Sequence, residues 1–384
     1  MDTTVLIPAW NAEAYIERAL ESIHEDVAVV LIDDFSSDRT VERAQSVGLK
    51  KLRILRPSRK ECLGLVRQTA LDAVETPYAV WLDADDAFLP GRIGRMLMPL
   101  RAGIADFVSD SQELVDGASG TFIRDLSIPG FISEDRDKVR LFERNWLPGI
   151  AHVAFRTEIG RQIGYDTKLH GGDDSDFVWR AIAAGAKFEF IHQKGYRMYA
   201  YVGSDSRNVA KQRAMVARAL KKHRYADVKN LYLRNGFSEQ VTLWGLCSMA
   251  LFRGEMDEAS KFLKLLEPNA QETLEVLEPA GPYPVLEAWR FAFTEGTLSL
   301  LNDRWTEALP CLERAVELHR SADALNNLGV TLKKLGESSS SDRYFEEAEQ
   351  LFPGYLDARL NRESKESFRV TVHPLRMQAS RSDY

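Results

Sequence analysis

The chain has 384 residues, 45% of them hydrophobic and 28% charged, with a net charge of −7. That length supports two ordinary domains, each with its own core, and the composition excludes wholesale disorder. The acidic balance leaves no electrostatic case for a nucleic-acid binder.

Three cysteines, Cys62, Cys247 and Cys311, stand far apart with no metal-site spacing, which fits a reducing compartment. The start of the chain reads as a strand rather than a signal segment, and no window approaches the ~18 consecutive apolar residues of a membrane span. The expectation is a cytoplasmic protein without a transmembrane segment. The basic clusters Lys50-Lys51-Leu52-Arg53 and Lys221-Lys222-His223-Arg224 read as solvated faces.

In chain order, residues 5–7 form a first strand, and 12–23 a helix with Ala14, Ile16, Ala19, Leu20 and Ile23 on one face. Residues 27–32 are almost continuously apolar, as expected of a strand covered on both faces. Then come a helix at 40–47, a strand at 52–55, a helix at 63–74 and a strand at 78–82. This alternation predicts an α/β fold with a mainly parallel, right-handed sheet flanked by helices. Ligands of such sheets sit beyond the carboxyl ends of the strands. Pro8 to Asn11, Asp33-Asp34 and Asp83 to Asp86 occupy those ends.

Residues 205–235 are basic and helical, and beyond them only helical patterns follow. Gly296, Ala308, Leu312 and Ala315 recur 33 positions later as Gly329, Ser341, Phe345 and Ala348, with Pro353 at a helix end. This is an internal helix-turn-helix repeat that resembles the tetratricopeptide repeat. A more degenerate copy runs through Trp244, Gly254, Ala259 and Leu263. The predicted organisation is an α/β domain over 1–225, an all-α tetratricopeptide-like domain over 226–365, and a polar, loosely held tail over 366–384.

The chemistry concentrates at Trp81-Leu82-Asp83-Ala84-Asp85-Asp86. Carboxylates clustered after a buried strand repel one another unless a cation or a donor neutralises them. Hard divalent cations bridge one or two carboxylates to substrate phosphates, and a diphosphate leaving group needs that neutralisation. The plain alternative is that Asp85 or Asp86 caps the helix that starts near Pro90.

The segments Val5-Leu6-Ile7-Pro8-Ala9-Trp10-Asn11-Ala12-Glu13, Val30-Leu31-Ile32-Asp33-Asp34 and Gly64-Leu65-Val66-Arg67-Gln68 resemble glycosyltransferase family 2. With the Leu82 to Asp86 cluster and Gly172-Asp173-Asp174-Ser175-Asp176-Phe177-Val178-Trp179-Arg180, they stand in family order over about residues 3–205. The resemblance implies the GT-A (Rossmann-like) fold and metal-dependent, inverting transfer of a sugar from a nucleotide-diphosphate donor, a UDP-sugar first. The implied acceptor is a glycan, a lipid-linked glycan or a peptide. It places Pro8, Ala9, Trp10, Asn11 and Glu13 around the nucleoside. One of Asp33 and Asp34 meets the base; strand alternation lets only one face the ligand. Arg67 contacts base or diphosphate, or is a helix-surface arginine. Asp83 serves the ribose and the metal, Asp85 the metal (Mn²⁺ or Mg²⁺), and Asp86 assists or caps. Asp174 is the general base, with Asp173 beside it, or the pair caps the next helix.

Two departures stand out: Asp173-Asp174 stands where the family usually has Glu-Asp, and a late histidine is missing. The family's late histidine after a Tyr-Arg pair is replaced, since Tyr196-Arg197 precedes Met198-Tyr199, so His170 and His192 are the candidate substitutes as third ligand. His152 falls where acceptor contacts are expected. The repeats suit a homodimer or a peptide surface, and the basic stretch 211–224 suits peripheral membrane contact. The competing reading is a scaffold that works through its repeats, with a degenerate transferase domain.

Overall fold

A computed structural model of the chain describes residues 2–60, 62–144, 146–201, 209–266, 287–352, 355–364 and 366–372. Pro353 and residues 373–384 lie outside these. The contacts divide the chain into two compact units: one runs to residue 223, and the other holds 224–384 together with 129–131 and 142–144.

The first unit is a nine-stranded mixed sheet with helices packed on it. Strands β1 (Thr3–Ala9), β2 (Ala28–Asp33), β3 (Leu52–Leu55) and β4 (Tyr78–Trp81) are parallel, in the order β3-β2-β1-β4. Between them run helices α1 (Ile16–Glu21), α2 (Thr40–Ser46) and α3 (Leu63–Asp72). Val5, Leu6, Ile7, Leu31, Ile32, Val80 and Trp81 are fully buried, because helices cover both faces of these strands. Helix α1 is shorter than its apolar pattern suggests. Its entry is a turn in which Tyr15 and Ile16 both donate to the Ala12 carbonyl.

Beyond β4 the sheet changes direction. It continues with β8 (Ala154–Arg156), β6 (Phe107–Asp116), β9 (Phe188–Ala200) and β5 (Ala87–Phe88), while β7 (Phe122–Leu126) pairs with β6. Strand β8 is antiparallel to both β4 and β6, and β9 is parallel to β6. Helices α4 (Arg92–Arg101), α5 (Thr157–Ile163), α6 (Asp173–Ala183) and α7 (Val209–Leu220) also belong to this unit. Strand β6 carries Ser109, Asp110, Ser111 and Gln112 in the interior, a polar run that does not read as a strand core. The arrangement is tolerated because Asp110 pairs with the buried Arg92 at 2.8 and 2.9 Å.

The register positions the site. Ala9 lies opposite Asp33 on β2, and Leu6 lies opposite Trp81 on β4. Chain leaving all three strands therefore emerges at one rim.

The second unit is helical. Helices Glu287–Leu301 and Trp305–Leu318 pack as one pair, and Ala322–Lys334 and Ser338–Leu351 as the next. The repeat positions are its contacts. A Cβ on Gly296 would stand 2.6 Å from Leu312, and one on Gly329 2.6 Å from Phe345. Only glycine lets the paired helices approach that closely. Ala308, Leu312 and Ala315 are buried, as are Ser341, Phe345 and Ala348. The helices Glu239–Arg253 and Met256–Lys264 bury Trp244, Ala259 and Leu263 around a second cluster. Residues 366–372 depart from the expectation of a loose tail. Phe368, Val370 and Val372 alternate along an extended stretch and pack on the helices, and Thr371 is fully buried. Among the described residues no helix is long and apolar enough to cross a membrane.

Candidate active site

A cavity of about 290 Å³ opens on the rim, lined by residues that leave β1, β2 and β4 and by α3. Pro8, Ala9, Trp10, Asn11, Asp34, Arg67, Asp83 and Asp85 all line it. A larger hollow of about 610 Å³ lies at the other end of β4, around Tyr78 and Arg161, away from the acidic cluster.

Of the two β2 aspartates, Asp34 faces the cavity. Asp33 is fully buried, accepts from the Ser36 N–H at 3.1 Å and pairs with Arg56 at 2.7 Å. One oxygen of Asp34 is buried without a hydrogen-bond partner, and desolvation raises its pKa. A donor from a ligand would satisfy it. Trp10 is 58% exposed at the mouth, with the Lys60 ammonium 4.6 Å from its ring centre.

Asn11 and Glu13 mainly tie loops together. Asn11 adopts φ +47° and its side-chain oxygen accepts the Ser37 N–H at 2.9 Å. Glu13 accepts the Arg39 N–H at 3.0 Å and pairs with its guanidinium at 2.9 Å, outside the cavity lining. These bonds fix the β1–α1 loop to the β2–α2 loop.

Arg67 projects from α3 and is only 3% exposed. It lies 3.6 Å from Asp83, 3.1 Å from Asp173, and 4.8 Å from the centre of the Trp81 ring. Burial opposes its charge, but Asp173 and Asp83 outweigh it and hold the guanidinium protonated. Its Nε and Nη1 are buried without an aligned hydrogen bond, although the charges are close. A buried guanidinium with spare donors on a cavity wall is a fitting partner for phosphate oxygens.

The acidic cluster is strained electrostatically. Desolvation works to raise the pKa of Asp83, but His152 and then Arg67 hold it down at about 2. Asp85 is pushed up to about 6 by burial and by Asp83. Asp86 is raised well above the usual range by burial, Asp85 and Asp83. The Tyr199 N–H, at 2.9 Å, fastens Asp86 to β9.

His152 donor atoms approach Asp83 and Asp86 so closely that one ligand atom from each lies within 4.8 Å of the others. The His152 Nε2 is 3.0 Å from Asp83, and its Nδ1 meets the Gln112 amide at 2.9 Å. Its ring stacks on Tyr196 at 3.9 Å, and Arg92 holds its carbonyl at 2.6 Å. Asp85 lies outside that triad but on the cavity wall. His170 and His192, the expected substitutes for the missing late histidine, are both exposed and away from the triad.

His152 approaches from a short 3₁₀ turn, Ile150–His152, with no periodic signal to mark it as a ligand. Arg18 was equally silent in sequence. It donates to the Asp85 carbonyl and to the Tyr201 hydroxyl, and lies 3.5 Å over the Tyr199 ring.

On the acceptor side, Gly172 takes φ +71° and opens α6, with Asp173, Asp174 and Asp176 in its first turn. A side chain at Gly171 would strike Met215 at 2.4 Å. The three carboxylates have separate environments. Asp176 is fully buried and neutralised by Arg180 at 2.8 Å and Lys222 at 2.9 Å. Asp173 is buried against Arg67, and its pKa is raised by that burial, with Asp174 adding to it. Asp174 is half-buried and accepts the Ser175 N–H at 2.6 Å.

A parallel-to-mixed sheet thus gathers a carboxylate cluster and a buried arginine at its rim, where ligands of such sheets sit. The sequence model of glycosyl transferase family 2 matches residues 4–159. The succinoglycan biosynthesis protein ExoU of Rhizobium meliloti (strain 1021) is 31% identical over 249 residues, 60% of this chain and 67% of that protein. ExoO of the same organism is 27% identical over 222 residues, 54% of this chain and 63% of ExoO. The crystal structure of S. aureus TarS 1-349 in complex with UDP-GlcNAc has the same fold, with a TM-score of 0.53 at 14% identity, covering 88% of this chain and 93% of that one. The chain belongs to glycosyltransferase family 2 and is a glycosyltransferase.

Proposed function

We propose that the chain transfers a sugar, with inversion and divalent-metal dependence, from a UDP-sugar to a glycan or lipid-linked glycan acceptor. The observation that carries this is the pairing of Arg67, with spare buried donors, and the over-crowded carboxylates Asp83 and Asp85 on one cavity wall. The TarS structure of like fold holds UDP-GlcNAc. ExoU and ExoO are named for succinoglycan biosynthesis, and a Campylobacter jejuni relative, 22% identical, is named as a glucosyltransferase on an undecaprenol-linked glycan.

In this reading Asp83 and Asp85 would hold Mn²⁺ or Mg²⁺ from the cavity wall, and His152 and Asp86, whose ligand atoms lie within 4.8 Å of one from Asp83, would be the candidate further ligands. The donor set fits, because two carboxylates and an imidazole are acceptable ligands and their crowding is relieved by positive charge. When bound, the ion neutralises charge developing on the departing diphosphate. Arg67 takes up phosphate oxygens from the opposite side of Asp83. Asp34 accepts from the base, and Pro8, Ala9 and Trp10 form the apolar wall of the nucleoside pocket. Asp174, more accessible than Asp173, removes the acceptor proton as the new bond forms. Asp173 holds Arg67 in place. The helical unit is a tetratricopeptide-like pair of repeats.

A thermal-shift panel of nucleotide-sugars with and without Mn²⁺ tests this reading. A rise in Tm that needs both the metal and a UDP-sugar is expected; a panel in which no nucleotide-sugar shifts the wild-type protein defeats it.

A further inference from the structure

We propose that Arg18 is a positioning residue for the metal-diphosphate site: it holds the Asp83–Asp86 turn in shape through the main-chain carbonyl of Asp85. The proposal rests on the functional reading above, in which Asp83 and Asp85 hold the ion. Arg18 itself is not among the residues that line the cavity.

Like charges in a short turn push one another apart, so Asp83, Asp85 and Asp86 stay side by side where the backbone between them is fixed. The Asp86 N–H closes the turn on the Asp83 carbonyl at 3.2 Å. Strand β9 holds both ends. The Tyr196 hydroxyl accepts the Asp83 N–H at 3.1 Å, and the Tyr199 N–H bonds the Asp86 carboxylate at 2.9 Å. Asp85, between them, is held from α1. Arg18 donates from Nη2 to the Asp85 carbonyl, and from the same nitrogen to the Tyr201 hydroxyl at 2.8 Å.

The guanidinium is itself held in place. Its carbon lies 3.5 Å over the Tyr199 ring, with the Tyr15 and Tyr201 ring centres 5.9 and 6.0 Å away. The Tyr15 and Tyr201 rings meet at 4.4 Å, and Tyr15 lines the cavity. Tyr199 therefore anchors Asp86 with its N–H and seats Arg18 with its ring, so the carboxylate turn and its brace share one support. A planar cation stacks on a ring while its edge reaches a carbonyl and a hydroxyl; an ammonium on a flexible stem meets fewer of these partners at once. The Arg18 Nε is buried without a hydrogen-bond partner. An aliphatic side chain of equal length would not carry that cost, so packing alone does not account for an arginine here.

The test uses the full chain as wild type, Arg18→Met and Arg18→Lys. Mn²⁺ is titrated by its electron paramagnetic signal, and UDP is titrated calorimetrically in EDTA. Arg18→Met keeps the stem and loses the donors; it should weaken Mn²⁺ binding by about tenfold while UDP affinity in EDTA stays within about twofold. Arg18→Lys keeps a donor for the carbonyl and should bring Mn²⁺ binding back to within about threefold of wild type. An equal loss of Mn²⁺ binding and of UDP binding in EDTA marks a collapsed cavity and overturns the proposal, as does a lysine variant no better than methionine. Should Arg18→Met not fold, Tyr201→Phe decides. With one of the two Nη2 partners gone, Mn²⁺ binding should fall about threefold, and an unchanged titration overturns the proposal. A wild-type chain that takes up no Mn²⁺ overturns the functional reading and this proposal together. A wild type that binds Mn²⁺, beside an Arg18→Met chain that binds it equally, overturns this proposal alone.

Discussion

The rim of the sheet and the interior of the helical unit are both lined by buried polar groups, and they solve that problem in opposite ways. At the rim, burial and then the crowding of Asp83, Asp85 and Asp86 raise Asp85 to about 6 and push Asp86 well above the usual carboxylate range. Arg67 keeps donors without aligned partners. In the helical unit, Asn326, Asn327 and Asn361 are neutral and bonded to residues 369 and 371. Charge left uncompensated suits an ion and a diphosphate. Neutral amides already compensated hold residues 369 and 371 of the same chain in place. The electrostatic asymmetry separates a rim open to a ligand from a polar cluster that the chain satisfies by itself.

The largest effect is expected at the acceptor side of the rim. Asp174→Asn should lower donor turnover by on the order of 10²–10⁴-fold while UDP affinity stays within about threefold, as measured by steady-state kinetics beside calorimetry. A matching loss of UDP affinity would reassign Asp174 to donor binding. Next, His152→Ala should weaken Mn²⁺ binding by roughly 10- to 100-fold, read by titration of the Mn²⁺ electron paramagnetic signal. An unchanged titration would leave the metal to the carboxylates alone. By contrast, Asn327→Ala should leave both readouts unmoved, because its bonds go to Thr371.

The pH dependence gives a smaller and signed effect. Asp85 and Asp173 have raised pKa values in the folded chain, so the fold favours their protonated forms. Their penalty is absent below about pH 4, and for Asp85 it develops as pH rises to about 6 and above. Asp83 acts the other way: its stabilisation is present above its ordinary pKa and is lost as pH falls towards about 2. The metal-free protein should lose Tm between pH 5 and pH 8, and Mn²⁺ should restore more at pH 8 than at pH 5. Equal Mn²⁺ shifts at both values would argue that the ion binds elsewhere. The smallest change is expected for Glu13→Ala, since Glu13 pairs with Arg39 away from the cavity lining; donor KM should stay within about twofold.

Much of the rim was legible in sequence because parallel strands are short apolar runs and their ligands lie at the carboxyl ends. Pro8, Ala9, Trp10, Asp83 and Asp85 reach one cavity for that reason, while Arg67, on α3, was marked only by the family resemblance. The split between Asp33 and Asp34 followed from strand alternation, but which one faced the cavity did not. The antiparallel half was hidden, because β6 buries Ser-Asp-Ser-Gln against Arg92 and β8 is only three residues long. Arg18 was hidden too, and His152 was marked only for acceptor contacts: each reaches the cluster across the fold from distant chain, and single residues carry no spacing signal. In the helical unit, the repeated glycines were legible through close packing. The packing of residues 366–372 was not, because Phe-Arg-Val-Thr-Val reads as a short polar-apolar tail until three asparagines bond it.

The most direct measurement is calorimetric titration of UDP into the wild-type chain and Asp85→Asn, each with Mn²⁺ and with EDTA. The account predicts at least tenfold tighter binding with Mn²⁺ in wild type and loss of that gain in the variant. Equal UDP affinity in Mn²⁺ and EDTA, or a gain retained by Asp85→Asn, would contradict it.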